Sequence, residues 1–310
     1  MGIKRKLRDV SKQTLRAVFE LGQRLGFNLL PRHFYSEIPN IQNLRETESW
    51  RKPYPMTGVD GTDLAEQFDF VRDCCPPPMV EEIHDREILA TASERNGRGG
   101  YGPVEADFLF AFVATHKPRQ IFQIGCGVST AVCLMAAEYE GYDPEVICVE
   151  PYPNDFLVQS NEKDRINLIP KKVENIELST LDQLGSDLLF FVDSSHTLGP
   201  AGEVTRIILE MLPRLKKGAQ VHFHDIHFPY DYRRGVLDSD LFFWHESALL
   251  MAFLTFNKNF RILVSQSMLH YSKPSKLQEY LPNYNPAPGK KGISKGEGDF
   301  PASTYLEVVR

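Results

Sequence analysis

No apolar run in these 310 residues approaches the roughly 18 that a membrane-spanning helix needs. The basic N-terminal stretch carries no apolar h-region, so no secretory signal is expected. After Met1-Gly2, position 6 is Lys6 rather than Ser or Thr, which removes the pattern for N-myristoylation. Cysteine is scarce: Cys74, Cys75, Cys126, Cys133 and Cys148 are odd in number, two are adjacent, and none forms a CxxC pair. That excludes a disulfide framework and a zinc knuckle, and points to a reducing, cytoplasmic setting. Cationic excess is also missing. Lys and Arg number 35 against 41 Asp and Glu, a net charge of -6, so no broad basic surface and no nucleic-acid partner are expected.

What is present is a globular composition, 42% apolar and 25% charged, with a patterned order. Ile3, Leu7, Val10, Val18, Leu21 and Leu25 recur at helical spacing, which predicts an amphipathic helix over 3–25. Seven basic residues against Asp9 and Glu20 give it +5, leaving -11 on the rest of the chain. Such a helix can lie on an anionic bilayer. The reading adopted is that it packs on the body or on a second subunit, as in a homodimer, without stable membrane insertion. Residues 31–103 are rich in proline and turn residues and read as an extension or lid of short helices and loops, including a helix near 63–74. Four glycines fall within 96–102, expected to be mobile or to pack closely on a ligand.

From Val104 onward strands and helices alternate. Strands are predicted over 119–124, 145–150, 166–170, 187–193 and 220–224. Helices are predicted over 106–115, 129–140, 155–163, 176–184 and 203–217. Apolar strands between amphipathic helices imply a parallel sheet covered on both faces. After Phe228 the pattern becomes a loop over 229–240, a helix over 243–256, a strand over 260–266, a loop over 282–300 and a strand over 303–309. The last two strands form an antiparallel pair at the sheet edge. The expected domains are therefore 1–30, 31–103 and 104–310.

Ile121–Thr130 reads strand, glycine turn, helix. Gly125 and Gly127 let a ligand approach the backbone, and the helix N-terminus favours an anionic group. Glu150 ends the next strand, where a carboxylate can grip a ribose diol. Together they indicate an adenosine-containing cofactor, either NAD or S-adenosylmethionine. Thr130 stands where a GxGxxG motif would have its third glycine.

Three segments narrow the choice: Phe190–His196, with Asp-Ser-Ser-His at its end, Leu215–Gly218, and Val221–Ile226, with His-Phe-His-Asp-Ile. With His33–Ser36, Glu150–Pro153 and Phe243–Glu246, the chain resembles class I S-adenosylmethionine-dependent methyltransferases. The resemblance extends to a bacterial subgroup found in polysaccharide or secondary-metabolite gene clusters, and it covers most of 31–310. It implies a doubly wound, Rossmann-like α/β sheet of seven strands with an antiparallel last strand, behind an N-terminal helical extension. It implies a cofactor held by Gly125, Cys126, Gly127, Ser129, Glu150, Pro151 and Asp193, with Val173 and Glu174 near the adenine. Gln123 stands where the family usually has an acid toward the cofactor's ammonium group.

Asp193, His196, His222, His224, Asp225 and His227 gather at or just past two strand ends. Methyl transfer to a hydroxyl needs a general base, for which His196 is the candidate, or a metal that acidifies the oxygen. Metal-dependent relatives place ligands at positions matching Asp193, His224 and Asp225, although Mg²⁺ prefers oxygen donors to the imidazole of His224. Tyr101, His245 and Glu246 are candidate contacts to a small-molecule or sugar acceptor. The alternatives left open are a nicotinamide-dependent oxidoreductase and a catalytically silent binding or scaffold protein.

Overall fold

The computed structural model describes residues 2–47, 49–232, 242–286 and 300–310, and for 2–11 and 49 their backbone. The expected loops over 229–240 and 282–300 fall largely on 233–241 and 287–299, outside the described residues. The chain forms two compact units, 1–48 and 49–310.

In the first unit, α1 (Gly2–Arg24) matches the helix predicted from the apolar spacing. Among the described residues, Leu15, Val18, Leu21 and Leu25 remain exposed. A short α2 (Ile41–Glu46) starts at Asn40, whose side chain accepts from Gln42 N. Among the described residues no helix is long and apolar enough to cross a membrane.

The second unit opens with α3 (Leu64–Cys74), α4 (Pro77–Asp85), α5 (Ile88–Asn96) and α6 (Pro103–His116). Asp63 caps α3 by accepting from Ala65 N and Glu66 N. In α6 every residue from Val104 to Ala114 is buried, as an all-round apolar helix requires. Then follow β1 (Gln120–Ile124), α7 (Val128–Glu140), β2 (Glu145–Val149), α8 (Asp155–Glu162), β3 (Asn167–Ile169), β4 (Leu188–Val192) and α9 (Glu203–Arg206). The unit ends with β5 (Gln220–Phe223), α10 (Glu246–Leu254), β6 (Phe260–Ser265), α11 (Gln266–Ser272), α12 (Pro274–Gln278) and β7 (Thr304–Val308).

The sheet order is β3-β2-β1-β4-β5-β7-β6. β1 to β5 run parallel, and β7 enters antiparallel between β5 and β6. This is the seven-stranded sheet expected from the sequence, with β6 as its outer strand. Alternation along the strands builds two cores. Ile121, Leu189 and Phe191 pack with α3 to α7, while Phe122, Ile124, Phe190 and Val192 pack with Val204, Ile208 and Leu250. Residues 49–103 thus share their core with the sheet.

Two elements differ from expectation. The helix predicted over 203–217 is α only to Arg206, then π over Ile207–Met211 and 3-10 over Leu212–Arg214. Pro213 lacks an N–H and its ring crowds the carbonyl four residues back, so the ladder slips before it stops. The segment predicted as a helix over 176–184 is a 3-10 turn, Leu178–Gln183.

The topology fixes where ligands can lie. Strand order reverses between β1 and β4, and β1, β2, β4 and β5 end at one edge. Ligands of open α/β sheets bind in the crevice outside that edge.

Candidate functional site

The strand ends create a cleft of about 410 Å³. Gly125, Glu150, Pro151, Val173, Glu174 and Asp193 line it, all of them expected cofactor contacts. Gly125 has φ +78°, and a Cβ there would sit 2.0 Å from the Asp193 carbonyl oxygen. Only glycine lets β1 and β4 come together at this point. Glu150 accepts from Cys126 N at 3.3 Å and from Tyr152 N at 2.9 Å, so one carboxylate fixes both the glycine turn and the chain after β2. Gly127 precedes α7 and lies against Asn96, at the end of α5, while Ser129 is buried in the first turn. Asn154 Nδ2 donates to the Asn96 carbonyl and side-chain oxygens, and Asn154 also caps α8.

Gln123 lies elsewhere. It is fully buried on the other face of β1, where its Nε2 approaches Cys133 Sγ and Cys148 Sγ approaches its Oε1. Alternation along β1 turns it toward α7 rather than into the cleft beside Gly125.

Beyond Asp193 the chain turns sharply. His196 takes a left-handed conformation, φ +60°, that a side-chain-bearing residue rarely adopts. Three hydrogen bonds to the start of α10 hold it. His245 N and Glu246 N donate to the His196 carbonyl at 2.8 and 3.2 Å, and His196 Nδ1–H donates to Glu246 Oε2 at 2.7 Å. Ser194 Oγ donates to Glu246 Oε1 at 2.9 Å and accepts from His196 N at 3.0 Å, closing a ring of contacts. His196 Nε2 faces Asp193 and Asp225 at 3.7 and 3.6 Å. The Trp244 ring packs against the imidazole, centroids 4.6 Å apart.

Burial alone would lower the His196 pKa. The hydrogen bond and charge of Glu246, with Asp225 and Asp193 behind them, raise it instead from 6.5 to about 9. Burial raises the pKa of Glu246 as well, against the pull of His196 and Ser194. Asp193 is raised by burial too, opposed by His224 and His196.

The other candidates divide. His222 is a core residue: it is fully buried, stacks on Phe191 at 4.3 Å, and shares a hydrogen bond between Nε2 and Ser303 Oγ at 2.9 Å. Burial lowers its pKa well below 6.5. His224 is buried under the Tyr101 ring, centroids 4.7 Å apart, and burial opposes the raising effect of Asp225, Asp193 and Glu105. Tyr101 Oη lies 3.5 Å from His222 Nε2, so this tyrosine seals the histidine pair. His227 stacks between Trp244 and Phe300. His245 is half-buried, and its Nδ1 has no hydrogen-bond partner among the described residues. Glu246, expected to touch the acceptor, is instead 1% exposed behind His196.

Among the described residues, no three His, Cys, Asp or Glu side chains are placed to hold a metal ion. Asp193, His224 and Asp225 do not assemble as a ligand set. The first and last carboxylates converge on His196 instead.

Sequence reasoning missed Asn96, Asn154, Ser194 and Glu203, whose Oε1 accepts from Ser195 N at 2.6 Å. Asn154 had a readable signal as an N-cap before a helical stretch. The others depend on contacts across 8 to 58 residues of chain, which no local pattern encodes.

Residues 122–226 match the family described as a methyltransferase domain. An uncharacterised protein from Archaeoglobus fulgidus is 25% identical over 167 residues, 51% of this chain and 75% of its own length. Among solved structures, an SAH-bound methyltransferase from Podospora anserina is 14% identical with a TM-score of 0.39, covering 92% of this chain and 100% of that one. A branched-chain polyamine synthase from Thermus thermophilus is 16% identical with a TM-score of 0.44, covering 76% of this chain and 65% of that one. At that level of likeness, neither neighbour's ligand is transferred to this chain.

Proposed function

We propose that this chain, whose residues 122–226 match a methyltransferase-domain family, transfers a methyl group from S-adenosylmethionine to a hydroxyl of a small molecule or sugar, with His196 as the base. The observation that carries the reading is the continuity of two sites: Asp193 both lines the 410 Å³ cleft and faces His196 Nε2 at 3.7 Å.

The residues present suit the cofactor. Glu150 would accept from the ribose hydroxyls, Val173 and Glu174 would flank the adenine, and Gly125 leaves room for close backbone approach. When bound, the sulfonium supplies an electrophilic methyl. With the sulfonium sulfur as the leaving group that would keep the C–S bonding pair, this chain's part would be to hold the acceptor oxygen in line with the methyl and to take the hydroxyl proton on His196 Nε2. The protein's own contribution is positioning of the two reactants and removal of that proton. Five free cysteines, four of them buried, support a reducing, cytoplasmic setting.

A thermal-shift panel tests the cofactor. S-adenosylmethionine or its demethylated product should raise the melting temperature, because a ligand that binds only the native state stabilises it, and NAD should not. A shift with NAD and none with the sulfonium compound would sink the reading. A turnover assay separates an enzyme from a silent protein that still binds cofactor.

A further inference from the structure

Glu246 is a carboxylate with 1% exposure. Burying a carboxylate carries a desolvation cost that must be offset by partners. Both its oxygens are occupied, one by His196 Nδ1 and one by Ser194 Oγ. It cannot reach an acceptor, yet it stands directly behind the one imidazole whose other nitrogen faces Asp193 and Asp225. We infer that Glu246 is a positioning residue for proton transfer: it fixes the His196 ring with Nδ1–H toward itself and thereby presents Nε2 to the acceptor hydroxyl.

The inference rests on His196 being the base. The hydrogen bond made by one ring nitrogen decides which nitrogen is left to act. A neutral imidazole with its proton on Nδ1 has its lone pair on Nε2, where the acceptor proton must go. The imidazolium that results is stabilised by the Glu246 carboxylate through the same Nδ1–H. Geometry on each side of the ring agrees. Asp193 approaches from the end of β4, Asp225 from the turn after β5 with His224 beside it, Glu246 from α10, and Trp244 covers a face. Of these groups, only Glu246 is within hydrogen-bond distance of a ring nitrogen. Ser194 in turn holds the second Glu246 oxygen, so the carboxylate plane is set from both ends. A purely architectural clasp would not need this carboxylate, because His245 N and Glu246 N already tie the His196 backbone to α10.

The experiment is a pH titration of the full-length protein with ¹⁵N-labelled histidine, following the two ring nitrogens of His196 by NMR. In the wild-type protein the neutral form should carry its proton on Nδ1, and its midpoint should lie above 6.5. Glu246→Gln should lower the proton affinity roughly tenfold or more, one pH unit or more in midpoint, and let the Nε2–H tautomer appear. Glu246→Asp should restore the Nδ1–H tautomer in part. Ser194→Ala, which removes only the far support, should displace both readouts in the same direction by less. If Glu246→Gln fails to fold, the Ser194→Ala result decides. A wild-type Nε2–H tautomer would overturn the inference. So would a titration unchanged in Glu246→Gln, or in Ser194→Ala where that variant decides. The thermal shift with S-adenosylmethionine is read on the same samples. Its absence from the wild-type protein would fail the cofactor reading whatever the histidine tautomer shows.

Discussion

Glu150 joins three jobs in one carboxylate: it accepts from Cys126 N, accepts from Tyr152 N, and faces the cleft. Glu150→Ala should weaken S-adenosylmethionine binding by roughly 1.5–3 kcal/mol, the range for a lost charge-assisted contact, read by titration calorimetry. Glu150→Gln keeps one acceptor oxygen, so it should lose less affinity and less melting temperature than the alanine variant. For His196, the pKa of about 9 changes what a base there implies. At neutral pH most of it is protonated, so turnover should rise with pH through an ionisation well above the ordinary 6.5. His196→Ala should abolish that limb and reduce turnover on the order of 10²–10⁴-fold, with cofactor affinity nearly unchanged. Because Asp193, His224 and Asp225 form no ligand set among the described residues, turnover should also survive chelator. Loss of activity with rescue by Mg²⁺ or Mn²⁺ would count against the base.

At the scale of elements, the glycine turn is the most constrained piece. Gly125→Ala meets both the Asp193 carbonyl at 2.0 Å and a φ of +78°. It should cost about 1–3 kcal/mol of stability from backbone strain alone. It should also erase the melting shift given by S-adenosylmethionine, because β1 and β4 must part to admit the methyl. Asn154→Ala should cost about 1 kcal/mol for the lost cap of α8, and it frees Asn96 beside Gly127. A denaturant titration reads both. The legibility of the fold follows the same line. β1, β2, β4 and β5 are short apolar runs ending in Gly125, Glu150, Asp193 and His224, and such local patterns carry their own punctuation. The 203–217 segment kept its helical apolar spacing, but Pro213 broke the ladder without breaking the pattern. At the site, Gly125, Glu150 and Asp193 were readable because each directly follows a strand, whereas Val173 and Glu174 lie in a 3-10 turn and were implied only by the resemblance. Glu246 was placed among acceptor contacts because nothing local shows that it pairs with a histidine 50 residues earlier. Gln123 faces Cys133 and Cys148 because its face of the strand is set by the side on which α7 packs, which no local pattern encodes.

For the whole molecule, histidines should shape stability on both sides of neutrality. His270 is packed against Phe300, with its Nδ1 at 2.5 Å from Tyr284 Oη, and burial lowers its pKa from 6.5 to about 4. Between those values the unfolded chain binds a proton that the folded chain refuses, so the His270 contribution is present above 6.5 and is lost as pH falls toward 4. His116 and His222 are lowered by burial and share that sign. His196 has the opposite one. Its folded pKa of about 9 exceeds the unfolded 6.5, so its contribution is complete below 6.5 and is lost as pH rises through 9. Buried carboxylates such as Glu105, Asp193 and Glu246 have raised pKa values, which tilt the acid side the other way and obscure a single stability curve. Differences between proteins isolate each group. The stability of wild type minus His270→Gln should fall as pH drops from 6.5 to 4 and be flat from 7 to 9. Wild type minus His196→Gln should be flat below 6 and fall between 6.5 and 9. Urea titrations at half-unit pH steps supply both curves. If the His196 difference instead stayed flat from 7 to 9 and fell as pH dropped below 6.5, its imidazole would be held neutral, and Glu246 could not be the charge that raises its basicity.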